Sequence, residues 1–408
     1  MPGRPVTAEP LRVVLLGLGT VGREVARALV ERGEELARAA GGRELRLVAV
    51  GVREPERDRG VRLPSGVARS NDLSALASRA DADVLVELLG GLDPAGELQA
   101  AALREGRGVV TANKALLARR GAELESLARE HGAPLRFEAA VAGAVPVLAP
   151  LAADLAANRW TRVAGIVNGT TNFMLTAMAD DGWDYASVLA DAQARGYAEA
   201  DPSGDVEGRD AADKLALLAR LAFGAWPDVA AIRRAAPALE GDAPAGITGI
   251  TGEEMQAAGG LGLELKLVAH AALVDGRFSA SVVPSAVEAD SALGRTDGVT
   301  NIVQLSGEPV GTVTFSGPGA GGAPTSSAVL GDLLALARGA GATWAGLSAA
   351  TPSGATTDGL EAAGRWFHVE PDGSGSVTEP MGLAELRAEL RERGLSPTTT
   401  LFPVLEEE

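Results

Sequence analysis

Residues 17–22 read Gly-Leu-Gly-Thr-Val-Gly, between a short apolar run, Leu11 to Leu16, and a segment, REVARALVERG, with helical apolar spacing up to Gly33. Glycines spaced G-x-G-x-x-G at a strand-to-helix turn leave few folds open. Gly17 permits the tight turn, Gly19 lets a pyrophosphate approach the backbone, and Gly22 allows close helix packing. The helix N-terminus then faces the anion with its N–H groups. Leu18, Thr20 and Val21 complete the turn, so all six residues are candidate cofactor-binding positions. The competing reading is a glycine-rich turn that binds nothing.

The pattern that follows supports the first reading. A second strand, LRLVAVGV from Leu45, arrives late because EELARAAGG intervenes as extra helix and loop. DVLVELLGG, ELQAAALREG, GVVTANK, ALLARRGAELESLAREHG and PLRFEAAV then alternate strand with helix, as in a doubly wound parallel sheet of the Rossmann type. Gly90, Gly91 and the turn Thr111 to Lys114 fall at the C-terminal ends of strands, where such sheets bind ligands. At the end of the second strand an acid usually reads the ribose of NAD. Arg53 stands there, with Arg57 and Arg59 nearby, which favours the 2′-phosphate of NADP(H) over NAD(H), although Glu54 is adjacent.

Composition narrows the partners. With 37 basic and 54 acidic residues the formal charge is −17, which repels nucleic acid and anionic membrane surfaces, so small soluble ligands are expected. The absence of cysteine removes disulfides, thiolate metal sites and cysteine nucleophiles. His131, His270 and His368 are scattered without metal-ligand spacing. No stretch has the length of a membrane span and MPGRPVTAEP lacks a signal-peptide pattern, so a cytoplasmic protein is expected. Only three of the basic residues are lysines, Lys114, Lys214 and Lys266, and a titratable amine in a chain that otherwise uses arginine is a candidate for chemistry. Lys266, in the alternating segment GLELKLVAHAALV, reads as a structural residue of a half-solvated sheet.

A second constellation begins near residue 141. AGAVPVLAPLAADLAANR reads as a helix, and TRVAGIVNGTTNFMLTAM as a strand, a polar turn and another helix. Asn168 to Asn172 are either a capped helix start or a substrate contact, or both. In GYAEADPSGDVEGRDAADK the acids Glu199, Asp201, Asp205, Glu207, Asp210 and Asp213 crowd one stretch, and Asp210 and Lys214 stand at i and i+4 on one helix face. As a surface pair they contribute roughly 0.3–0.5 kcal/mol. Partly buried, the same pair becomes a proton-transfer site beside an acidic grip for a substrate ammonium.

With GLGTVG, TANK, EAAVAGAVP, GIVNGTTNF, GYAEADPSGDVEGRDAADK and GPGAGGAPTSSAV in this order, the chain resembles the homoserine dehydrogenases over about residues 11 to 345. The resemblance implies NAD(P)-dependent interconversion of L-homoserine and L-aspartate 4-semialdehyde, in the threonine and methionine branch of aspartate metabolism. It implies Lys214 as general acid and base, with Lys114 beside the same substrate oxygen and the cofactor. It also implies Glu199, Asp210 and Gly196 at the substrate, Gly319 at the nucleotide, and a sodium or potassium ion near Glu138, Val141, Gly143 and Val145, held mostly by backbone carbonyls. A homodimer is implied too. The acylating dehydrogenase that acts on the same semialdehyde needs a thiol, which this chain lacks.

The expected organisation is α/β: residues 1–140, completed by about 317–345, bind the dinucleotide; 141–316 form an α+β substrate and dimerisation domain; and 346–408 are a C-terminal extension. Strand, helix and strand in GRWFHVE, MGLAELRAELRERG and TTTLFPVLEEE are too few for a complete regulatory domain of the ACT type, so the sequence leaves threonine feedback open. Two rival functions remain at this level: a dehydrogenase of another amino or hydroxy acid, and an NADP(H)-binding sensor without turnover.

Overall fold

Short runs of Val and Leu bounded by glycine build the first half of the chain, as residues 9–274, 277–350, 360 and 364–406, described by a computed structural model, show. The chain divides into two units, Met1–Ala156 with Ala320–Thr351, and Ala157–Gly319 with Pro352–Glu408. Residues 141–156 therefore go with the first unit, and the described part of the C-terminal extension goes with the second.

In the first unit the strands are β1 (Leu11–Leu16), β2 (Leu45–Gly51), β3 (Ala68–Ser70), β4 (Val84–Glu87), β5 (Gly108–Thr111) and β6 (Leu135–Arg136). They pair in the order β3-β2-β1-β4-β5-β6, every pair parallel. The order reverses between β1 and β4, the switch point where a crevice opens at the strands' C-terminal ends. Every residue of β4 and β5 is buried, as expected of parallel strands covered on both faces. One cover comes from far along the chain. Helix Gly322–Ala337 packs against helix Thr20–Glu31 and adds Val329, Leu330, Leu333 and Leu336 to a core shared with Val13, Leu15, Val25 and Leu29.

The second unit holds β7 (Arg159–Ile166), β8 (Ala235–Pro237), β9 (Asp242–Ala245), β10 (Leu263–Val274), β11 (Arg277–Glu288), β12 (Thr300–Glu308), β13 (Gly311–Pro318), β14 (Trp366–Val369), β15 (Gly375–Val377) and β16 (Phe402–Leu405). Strands β8 and β9 pair alone, and the other eight form a mixed sheet, β13-β12-β7-β10-β11-β16-β14-β15. The described extension thus supplies three strands where two were expected. It also closes a core of its own from Leu239, Val283, Trp366, Leu386, Leu390 and Leu401. Helix Arg209–Phe223 lies on β7, β10 and β11, and each of its residues from Ala211 to Leu221 is buried.

Two expectations change. The helix read from Ala142 onward shrinks to Leu148–Ala152, since Pro146 and Pro150 cannot donate to a longer helical ladder. Lys266 is not half solvated. At 1% exposure it lies beneath the sheet, and Nζ donates to the Thr296 carbonyl at 3.3 Å and to Asp297 at 3.0 Å.

Candidate functional site

The glycine-rich turn divides its labour among three glycines. Gly17 has φ +100°, and a Cβ there would lie 2.6 Å from the Leu88 carbonyl oxygen. A Cβ at Gly22 would strike the Gly17 carbonyl. Gly19 is different: φ is −77°, and nothing lies within 4 Å of where its Cβ would stand. Gly17 and Gly22 are fixed by packing, whereas Gly19 keeps space open at the start of helix Thr20–Glu31. No side chain caps that helix, so its first N–H groups face the same space. Leu18 and Val21 are half-buried and Thr20 is exposed. Arg53 is exposed two residues past the end of β2, where the sequence placed it.

Lys114 is the first residue of helix Lys114–Glu130, and Asn113 is its N-cap, with Oδ1 accepting from Leu116 N at 3.2 Å. Behind this turn stands a residue the sequence reading passed over. Glu87, fully buried at the end of β4, accepts from Leu89 N (2.7 Å), Gly90 N (3.2 Å), Gln99 Nε2 (2.7 Å), Thr111 Oγ1 (2.8 Å) and Asn113 Nδ2 (3.4 Å). Asn113 Nδ2 also donates to the Gly91 carbonyl at 2.7 Å, and Thr111 Oγ1 accepts from Asn113 N at 3.0 Å. The available signal was one acid inside the apolar run DVLVELLGG.

The acid loop and the polar turn meet in the second unit. Lys214 is 8% exposed, and its ammonium donates to Asp210 Oδ2 at 2.7 Å and to the Val167 carbonyl at 2.6 Å. Asn168 Nδ2 donates to Asp210 Oδ2 at 2.9 Å and to Asp205 Oδ1 at 2.7 Å, while its Oδ1 caps helix Gly169–Asp181 through Thr171 N at 2.9 Å. Asn168 therefore caps the helix, the first of the two readings the sequence left open, and its amide nitrogen holds Asp210 and Asp205 beside Lys214. Gly208, at φ +75°, opens the Lys214 helix where a Cβ would come 3.1 Å from Val282 of β11. That close approach lays the helix on the sheet and commits the i, i+4 pair to burial.

The remaining expected substrate residues lie in the loop before this helix. Gly196, at φ +75°, ends helix Tyr185–Ala194, donating to Gln193 O at 3.0 Å, while Tyr197 N reaches back to Ala192 O at 2.8 Å. Thr170 Oγ1 donates to Tyr197 O at 2.8 Å and ties this loop to the polar turn. Glu199 is exposed, its backbone carbonyl accepting from Gln193 Nε2 at 3.0 Å. Gly319 follows β13, and a Cβ there would strike the Asn301 side chain, so glycine is required at that position by packing alone.

Glu138 accepts from three consecutive amides, Val147 N at 2.8 Å and Leu148 N at 2.9 Å on Oε1, and Ala149 N at 2.7 Å on Oε2. Burial, with the Asp332 carboxylate second, pushes its carboxyl up to about 7 against the pull of those amides. Between Glu138 and Val147, Ala142 and Gly143 are both left-handed, at φ +51° and +57°, and Val141, Gly143 and Val145 are buried. Left-handed backbone is disfavoured for alanine and is found where a loop must aim its carbonyls. Carbonyl oxygens are hard donors suited to an alkali cation, so the donor type of this loop fits one. Among the described residues no three His, Cys, Asp or Glu side chains group as a metal site. Burial, with Arg162 second, pushes His270 down to about 4, so it is neutral near pH 7. Among the described residues, no helix is long and apolar enough to cross a membrane.

The comparisons with known proteins agree with one another. The family model "Homoserine dehydrogenase, NAD binding domain" matches residues 17–138, and "Homoserine dehydrogenase" matches 146–334. The homoserine dehydrogenase of Mycobacterium tuberculosis H37Rv is 44% identical over 343 residues, 83% of this chain and 74% of that protein. That of Corynebacterium glutamicum is 40% identical over 405 residues, 95% of this chain and 84% of that protein. A crystal structure of a homoserine dehydrogenase from Thiobacillus denitrificans superposes with a TM-score of 0.85 at 31% identity, covering 98% of this chain and 99% of that one. A hyperthermophilic archaeal homoserine dehydrogenase in complex with NADPH gives 0.66 at 26% identity, over 80% of this chain and 97% of that one.

Proposed function

The chain belongs to the homoserine dehydrogenase family, and on that premise we propose that Lys214 moves the proton in the interconversion of L-homoserine and L-aspartate 4-semialdehyde. The observation that carries this is the buried Lys214 ammonium, held by Asp210 and the Val167 carbonyl, with Asn168 bridging Asp210 to Asp205. The bound nicotinamide supplies the hydride acceptor or donor. The protein must position the C4 alcohol and exchange its proton. Two of the three ammonium donors are committed within the unit, and the third suits the substrate C4 oxygen, as proton donor in reduction and as a partner for alkoxide charge. Asp210 keeps the ammonium aimed.

Lys114 is read as the second amine at the C4 oxygen and the cofactor, supported by its place at the C-terminal end of β5. Glu199, Asp210 and Gly196 are read as the substrate amino-group site, supported by the acid loop's tie to the polar turn through Thr170. Gly17 to Gly22, in the first unit, and Gly319, at the end of the second unit's first segment, are read as nucleotide contacts. Glu138, Val141, Gly143 and Val145 are read as a site for sodium or potassium, which would offset a buried carboxylate charge. A homodimer through the second unit is supported by β13, an edge strand with no fully buried residue, since such edges need a cover. The enzyme is read as cytoplasmic because the reaction draws on a soluble nicotinamide pool.

The direct test is absorbance of reduced cofactor formed from L-homoserine at alkaline pH, with NADP and NAD in parallel. Turnover is expected with NADP at the lower KM. Tight cofactor binding without turnover would leave the sensor reading instead. The NADP preference is assigned to Arg53. Arg53→Ala should raise the NADP KM about ten- to a hundredfold, the scale of one hydrogen bond to a charged group, and leave the NAD KM unchanged. An equal effect on both cofactors would remove Arg53 from the 2′-phosphate.

A further inference from the structure

We infer that Glu87 is a positioning residue for the reaction: its carboxylate locks the turn that presents Lys114. The inference rests on the reading of Lys114 given above. Glu87 lies at the C-terminal end of β4 and has no exposed surface, yet five donors converge on it. They come from three places. Leu89 N and Gly90 N belong to the turn after β4, Thr111 and Asn113 to the end of β5 and the turn after it, and Gln99 to the helix between the two strands.

A buried carboxylate is costly unless its lone pairs are filled, and here the filling groups are the backbone and side chains of the two turns at the sheet's ligand end. The first turn contains Gly90 and Gly91, both left-handed at φ +76° and +73°, and the Gly91 carbonyl accepts from Asn113 at 2.7 Å. Asn113 is thus held on both sides by the loop that Glu87 organises. It is also the N-cap of the helix that Lys114 begins. The chain of contact runs Glu87, Asn113, Lys114, with Thr111 bracing the middle member through the Asn113 amide.

No amide can replace this hub. A glutamine at 87 has one acceptor oxygen and an NH2 group, so it would turn donors against either the Leu89 and Gly90 amides or the Thr111, Gln99 and Asn113 group. A side-chain shift of about 1 Å at an amine near a reacting oxygen costs far more rate than binding. Glu87→Gln should therefore lower kcat about 10- to 30-fold, leave the KM for L-homoserine within about threefold, and change the pH profile of kcat.

The experiment measures kcat, both KM values, the kcat–pH profile and Tm for Glu87→Gln, Asn113→Ala, their double variant and Lys114→Met. If Glu87 acts through Asn113, the two single effects on kcat are strongly non-additive. Additive effects on kcat, or a loss of kcat matched by Gln99→Met at equal Tm, would reduce Glu87 to packing and overturn the inference. Should Glu87→Gln not fold, Thr111→Val and Asn113→Ala keep the carboxylate and test the same chain, and normal kcat in both refutes it. Full turnover in Lys114→Met would instead refute the reading of Lys114 itself, a separate outcome.

Discussion

Lys214→Met is expected to lower kcat about a thousandfold while leaving cofactor affinity unchanged, a loss in the range set by removing a general acid and base. Methionine keeps much of the buried stem and removes only the ammonium. The structural cost is separable. Without the ammonium the Val167 carbonyl and the Asp210 carboxylate each lose a donor, so roughly 1–3 kcal/mol of stability should go with the charge. Lys214→Met combined with Asp210→Asn removes the carboxylate charge that the ammonium had balanced and should recover part of the Tm. If kcat stays low in the double variant, the loss is one of proton transfer. Recovery of turnover together with Tm would mean that Lys214 only holds the helix on the sheet, and the mechanism would fail.

Gly19→Thr should weaken binding of NADP about a hundredfold or more with no loss of stability. Threonine caps a helix N-terminus about as well as glycine, the backbone at Gly19 suits any residue, and its Cβ would meet nothing in the folded chain. The side chain would enter the space at the helix N-terminus that the pyrophosphate is expected to fill. Gly17→Ala is the informative contrast, because φ +100° and a contact at 2.6 Å with Leu88 O predict roughly 1–3 kcal/mol of lost stability before any cofactor is added. Titration by cofactor fluorescence, with Tm measured on the same samples, separates the two. Normal binding by Gly19→Thr would show that the open space is not where the pyrophosphate lies.

What the sequence disclosed was local. The strand, turn and helix around Gly17 to Gly22 lie within about twenty residues, and the Asp210–Lys214 pair needs only helical periodicity. Burial of that pair was not legible, because it depends on Gly208 meeting Val282 across a long separation. The same limit hid Glu87, whose donors come from turns 24 and 26 residues away as well as beside it. Lys266 misled for a related reason. Alternation in β10 is real, but the strand pairs with β7 on one side and β11 on the other, and its long side chain is covered by the Thr296–Asp297 turn. The C-terminal strands read as a small appendage until β16 paired parallel to β11, a partner more than a hundred residues earlier.

Helix Gly322–Ala337 carries a consequence for how the chain is made. The first unit owns six strands that are all translated before residue 137, but part of the cover for their apolar face is encoded after Gly319. The ribosome must make residues 157–319 in between, which at ordinary elongation rates takes roughly 10–30 s. During that interval Val13, Leu15, Val25 and Leu29 lack the partners that Val329, Leu330 and Leu333 later provide. The nascent first unit therefore leaves part of an apolar face uncovered until its last segment is made. The second unit is divided too, and its strands β14 to β16 are encoded only after the first unit's last segment.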